Sequence, residues 1–197
     1  ANKYTGLEIS NLNASLIGIS GLTLTVSNAK VQVNKVTGGT GRLNWAVATN
    51  LTNDPTDILP AFTMTAAVEL SASGDVALDA FGFVLGVGSF DLAKKSMSVN
   101  DGSITAFSAD VLSLSLSSMN LFIGIGASLS GTTLVTTNAI GIEATGVSLS
   151  LALVQNTTTQ ANKYTGLEIS SLNASLIGIP GLTLTVSNAK VQVNKVT

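Results

Sequence analysis

The sequence predicts an all-β chain arranged as a repetitive parallel β-solenoid, and three observations predict it. Apolar and polar residues alternate with period two over most of the chain, the pattern of strands that bury one face. Residues 161–197 repeat residues 1–37 with only two differences in 37 positions, Asn11 against Ser171 and Ser20 against Pro180. Small polar or glycine breaks interrupt the alternation near positions 10, 27, 81, 117 and 145. The first intervals approach multiples of about 18 residues, the scale of one solenoid coil, although the later ones do not.

Taken in order, the elements are short strands separated by breaks. Leu22, Leu24 and Val26 face opposite Thr23 and Thr25, and after Ser27-Asn28 the alternation resumes with Val31 and Val33 against Gln32 and Asn34. "VALDAFG-FVLGVGSF" reads as two strands meeting at residues 81–82. Leu112, Leu114 and Leu116 alternate with serines, and Val147, Leu149, Leu151 and Leu153 do the same. "NLTNDPTDILP", residues 50–60, is the clearest loop, and "QNTTTQANKY", residues 155–164, marks a junction. Proline lacks an N–H and is tolerated only at a strand start or corner, so the Ser20/Pro180 site is expected to be a bend. Coils of about 18–20 residues rising about 4.8 Å each would give on the order of 40 Å per 160 residues.

The alternative fold is a string of tandem β-sandwich domains. Sandwiches favour tight Asn-Gly or Asp-Gly hairpin turns, and only Asn100–Gly102 offers a strong one. An outer-membrane barrel also alternates, but it needs aromatic girdles, and aromatics make up 5% of this chain.

The 160-residue period divides the chain into one complete unit, 1–160, and the start of the next, 161–197, equivalent to 1–37. The expectation is a window on a longer tandem array, with neighbouring repeats as the main partners and lateral self-association into filaments. No apolar run reaches the 18 residues of a membrane-spanning helix, so the chain reads as not membrane-spanning. Charged residues are only 10% of the chain and the net charge is −2, which argues against nucleic acid. One unit holds six Lys/Arg and ten Asp/Glu, hence −4, a charge that adds up along an array.

Cysteine and histidine are both absent. That removes disulfides, thiolate nucleophiles, Cys/His zinc sites and His-based acid–base catalysis. Carboxylates remain, yet Asp54 and Asp57 lie in a proline loop and Asp75 and Asp79 flank a strand, so turn chemistry is the simpler reading and no enzyme is expected. No cofactor is expected beyond calcium, for which Asp54 and Asp57 in "NDPTD" and Asn100 and Asp101 in "VNDGS" supply hard oxygen ligands. "GGTGRL" at 38–43 lacks the aspartate of calcium-binding β-rolls and reads as a glycine turn. The pairs Thr23/Thr25 and Thr63/Thr65 are too isolated for an ice-binding ladder. Sequons occur at Asn13, Asn50, Asn156 and Asn173, and Trp45 reads as a packing residue.

The stretches "GLTLTVSNAKVQVNKVTGGTGRLNWAVATN", "VALDAFGFVLGVGSFDLAKKSMSV" and "GIEATGVSLSLALV" resemble the long tandem repeats of giant bacterial cell-surface proteins of the haemagglutinin- or adhesin-like kind. The resemblance runs from about Tyr4 to Leu153 and is carried by strand grammar. It implies an extracellular or cell-surface setting and no catalytic residues. The expected function is therefore a structural repeat segment forming a long fibre, spacer or sheath. The alternative is an adhesin module whose loops around 50–60 and 98–103 contact glycans or other cells.

Overall fold

The computed structural model describes residues 1–48, 62–100, 102, 104–159 and 162–196. Among these residues the alternating segments form ten strands: β1 (Lys3–Ser15), β2 (Leu22–Thr37), β3 (Val68–Ala80), β4 (Val84–Val99), β5 (Phe107–Ile125), β6 (Ser128–Ser130), β7 (Thr133–Val135), β8 (Ile140–Asn156), β9 (Lys163–Ile177) and β10 (Thr185–Val196). One helical turn, α1 (Trp45–Ala48), lies between β2 and β3. Eight strands make one sheet in the order β1-β2-β3-β4-β5-β8-β9-β10, and β6 and β7 form a separate hairpin.

The all-β expectation holds, but the strand direction differs from the expected parallel solenoid. Every pairing among the described residues is antiparallel. Parallel neighbours need crossovers of about a dozen residues or more, whereas β1 and β2 are joined by residues 16–21 and β3 and β4 by residues 81–83. The eight long strands also lie in one sheet, not in the two facing sheets of a sandwich.

The turns explain why hairpins form without Asn-Gly. Leu22 N–H donates to Ile19 O at 3.3 Å, closing a four-residue turn with Ser20 and Gly21 at its centre. Gly21 has φ 76°, and the second copy repeats the turn with Pro180 and with Gly181 at φ 79°. Proline at the first central position and glycine at the second is the type II preference. The expected bend at this site is therefore present, as a hairpin turn.

The breaks near 10, 27, 117 and 145 are not corners. They are β-bulges inside strands that continue on both sides, at Asn11, Asn28, Ser118 and Gly146, all with positive φ. Ser171 and Asn188 repeat the pattern in β9 and β10. The strands β3 and β4 cross the same line with Gly74 and Gly88, where a Cβ would press on the Ala29 backbone and the Met119 sulfur. The bulges thus form a seam across the sheet. Each adds a residue, bends its strand and shifts the in–out alternation by one position. Asn28 donates to Asp75 Oδ2 at 3.1 Å, Ser89 donates to Asp75 Oδ1 at 2.8 Å and the Asn13 side chain accepts the Asn28 N–H at 3.1 Å, which pins the seam.

On one side of the seam the two faces of the sheet separate by polarity. Following partners across the sheet gives the row Ile9–Val31–Ala72–Leu92–Leu114–Leu151–Leu167–Val193, aliphatic in all eight strands. The next row, on the opposite face, is Glu8–Gln32–Ser71–Ala93–Ser113–Ala152–Gly166–Asn194, polar or small throughout. On the other side of the seam this second face turns apolar. Ala77, Leu85, Val87 and Phe122 are buried there, and Leu129 and Leu134 of the β6–β7 hairpin pack over Leu85 and Phe122 with Ala139 and Ile177. Full burial of the Phe122 ring contributes on the order of 2–3 kcal/mol.

Candidate functional site at the repeated hairpin

The repeated 37 residues fold as the same hairpin at both edges of the sheet. Tyr4 pairs with Val36, Glu8 with Gln32 and Ala14 with Val26, and in the second copy Tyr164 pairs with Val196, Glu168 with Gln192 and Ala174 with Val186. The surroundings differ. β2 is flanked by β3 and leaves β1 open, whereas β9 is flanked by β8 and leaves β10 open. One sequence is therefore seen in two environments, and its side chains can be compared directly.

In the first copy, residues from the segment between β2 and β3 cover the polar face. The Trp45 ring lies so close to Gly6 that a Cβ there would stand 2.7 Å from it. The indole N–H donates to Asn34 Oδ1 at 3.1 Å, and Phe62 meets the ring edge-on at 5.6 Å. The Asn34 amide group donates to Leu43 O at 2.8 Å and to Thr65 O at 3.1 Å, so a fully buried asparagine is satisfied at both ends. Glu8 takes an ion pair from Lys30 at 3.1 Å and accepts from the Thr63 N–H and from Gln32, both at 2.9 Å. Burial pushes the Glu8 carboxyl up, but the Thr63 N–H, Gln32 and Lys30 outweigh it and bring the pKa down to about 2. Farther along, Arg42 and Lys94 both pair with Glu69, at 2.8 and 2.6 Å. Lys94 and then Arg42 hold that carboxyl below its ordinary value, against burial.

The second copy keeps the same set without the cover. Gln192 donates to Glu168 at 2.7 Å and Lys190 pairs with it at 3.0 Å. Lys190 and Gln192 lower the Glu168 pKa as well. Asn194 is exposed and makes no side-chain hydrogen bond among the described residues, and a Cβ on Gly166 would meet nothing within 4 Å. Glu168, Gln192 and Asn194 instead border an open groove of about 660 Å³ floored by Ser113, Ser150 and Ala152.

Of the calcium candidates, Asp54, Asp57 and Asp101 lie outside the described residues, as do the loop 50–60 and Asn50. Asn100 Oδ1 accepts the Gly102 N–H at 2.8 Å, which is turn chemistry. Among the described residues no group of three or more acidic side chains is placed to hold a metal ion. The three described sequon asparagines make turn and bulge bonds: Asn13 and Asn173 accept the N–H groups of Asn28 and Asn188, and Asn156 accepts those of Thr158 and Thr159. Trp45 packs as expected. In the sequence Gln32 and Asn34 read only as the polar face of a strand and Glu8 and Lys30 carry no signal of a site, although a hairpin folded about Ser20 would set Glu8 opposite Gln32. No described helix is long and apolar enough to cross a membrane. No protein-family model, curated protein or solved structure matches the chain.

Proposed function

We propose that this chain is a structural segment of a long extracellular or cell-surface β-sheet ribbon that acts as a spacer, sheath or fibre. Residues 1–160 are one unit, and 161–197 open the next. The observation that carries this reading is the pair of near-identical hairpins at opposite edges in the same register. The β8–β9 register supplies the neighbour that the open edge of β1 lacks. The β2–β3 register supplies the neighbour that the open edge of β10 lacks. Copying the two registers outward extends the sheet in both directions with no new kind of contact, so the natural partner of each unit is the next unit.

The aliphatic row supports the same reading, because it runs unbroken across the unit boundary. Its two edge-strand members, Ile9 and Val193, are exposed and the other six are half-buried, none of them fully covered, which suits lateral association of ribbons through that face. The role is mechanical: hydrogen bonds run along the ribbon, and length comes from repetition. The resemblance to giant bacterial surface proteins supports the extracellular setting.

A unit contributes six strands to the main sheet, β1 to β5 and β8. At about 4.8 Å per strand this is roughly 29 Å of ribbon per unit, shorter than the 40 Å of a solenoid. Electron microscopy of chains carrying two, three and four units tests it. Continuous ribbons lengthening by roughly 29 Å per unit are expected, and separate globules at each unit would overturn the reading.

A further inference from the structure

The first copy of the hairpin is dressed and the second is bare, and the same residues make both. Gly6, Glu8, Lys30, Gln32 and Asn34 bind Trp45, Thr63, Leu43 and Thr65, while Gly166, Glu168, Lys190, Gln192 and Asn194 present the same atoms to an open groove. We propose that this groove is the seat of a second set of Leu43, Trp45, Thr63 and Thr65, supplied by the next unit of the array. The proposal rests on the ribbon reading for the source of the occupant, not for the chemistry of the site.

Three features of the groove match that occupant. The first is shape. Gly166 leaves open the space that an indole fills above Gly6 in the first copy. A groove of about 660 Å³ lies within the roughly 300–1,000 Å³ that encloses a drug-sized ligand, so it can take the ring with its neighbours. The second is hydrogen bonding. The Asn194 amide offers the oxygen and the nitrogen that Asn34 uses toward the Trp45 N–H and two carbonyls. Glu168, already held by Lys190 and Gln192, has a carboxylate free to accept the backbone N–H that Thr63 gives to Glu8. The third is preorganisation. The Gln–Glu distance is 2.9 Å in the occupied copy and 2.7 Å in the open one, so the receiving residues need no rearrangement. Ser150 and Ala152 of β8 are small and leave the approach clear.

The consequence is an interlock. Each unit would be joined to the previous one by strand pairing along the edge, and its tryptophan element, laid over its own hairpin, would also border Ser150 and Ala152 of the previous unit, which floor the groove.

The test uses the full chain extended past Thr197 by a copy of residues 38–67, which continues the 160-residue period but adds no strand to pair with β10. Trp45 is replaced by Phe, so the appended segment carries the only indole. Blue-shifted emission and acrylamide quenching reduced severalfold relative to free tryptophan are expected, and Gly166→Val should restore full quenching. An indole that is fully quenchable with and without Gly166→Val overturns the proposal. In a second version that keeps Trp45, both indoles should be protected, and one protected with one accessible counts against the seat. Because no strand is added, a negative result here leaves the ribbon itself to be judged by microscopy, and globules in microscopy leave a protected indole standing.

Discussion

Gly6 and Gly166 hold the same place in two copies of one hairpin, yet a Cβ on Gly6 would stand 2.7 Å from the Trp45 ring whereas one on Gly166 would touch nothing within 4 Å. Identical local sequence thus meets opposite steric demands, set by what lies above the sheet. Gly6→Val should destabilise the chain by about 1–3 kcal/mol through overpacking. Gly166→Val should be neutral or slightly stabilising, since glycine is a poor strand residue with no side chain to pack. Urea unfolding of the two variants measures the contrast. Equal losses would show that the ring does not constrain the site.

The two differences between the copies fall where backbone conformation is demanding, and the turn gives the simpler test. Ser20 and Pro180 both occupy the first central position before a glycine of positive φ, and neither position donates a backbone hydrogen bond among the described residues. Ser20→Pro should therefore stabilise by about 0.4–1 kcal/mol, mainly by restricting the unfolded chain, and Pro180→Ser should lose a similar amount. The denaturation midpoints of both variants check the pair of signs.

The bulge seam makes a second conformational prediction. Asn11 and Ser171 share φ 57°, and Ser118 sits at 52°. Left-handed backbone costs an ordinary residue about 1–2 kcal/mol, less for asparagine and almost nothing for glycine. Ser118→Gly and Ser171→Asn should each raise stability by up to about 1 kcal/mol, whereas Asn28→Ala should lower it further by also removing the bond to Asp75. Thermal unfolding of the three variants reads the order.

Much of this was legible in the sequence, and the part that was not is physically instructive. Alternation locates the strands, and the breaks at 10, 27, 117 and 145 fall one residue from Asn11, Asn28, Ser118 and Gly146. A bulge and a corner both shift the period-two pattern by one residue, so local pattern alone cannot separate them. What decides is whether the partner strand continues, and Ile9–Val31 and Ala14–Val26 pair on either side of the bulge in β1. Strand lengths add to the difficulty: β5 runs 19 residues, against a usual 5–6, so one strand with a bulge has the sequence pattern of two. Direction was hidden for a related reason. Ile-Ser-Gly-Leu and Phe-Gly are serviceable turns, but they lack the Asn-Gly signature that marks hairpins most clearly. The site at Glu8 and Asn34 depends on the segment between β2 and β3 reaching back over the hairpin, with Trp45 and Thr65 11 and 31 positions from Asn34 and Thr63 55 positions from Glu8, and no spacing rule conveys that.

The two carboxylates of the repeat give the last prediction. Glu8, with its side chain 12% exposed, is lowered from 4.5 to about 2, while Glu168 is lowered in a more open site and its side chain is 40% exposed. Because the folded value of Glu8 lies below the unfolded one, its contribution is fully present above about pH 4.5. It fades as the pH falls, since the unfolded chain takes up its proton first, and it is gone near pH 2. The full span is on the order of 3 kcal/mol. Glu8→Gln should therefore cost stability at pH 7 and flatten the acid limb of the stability curve between those values. Glu168→Gln should change the limb much less, and what it changes should shrink in high salt, as expected for an exposed ion pair. Unfolding free energies at pH 2, 3, 4.5 and 7 in both variants and the parent decide the matter. A Glu8→Gln curve as steep as that of the parent would mean that the bonds from Thr63, Gln32 and Lys30 do not hold the carboxylate as the geometry requires.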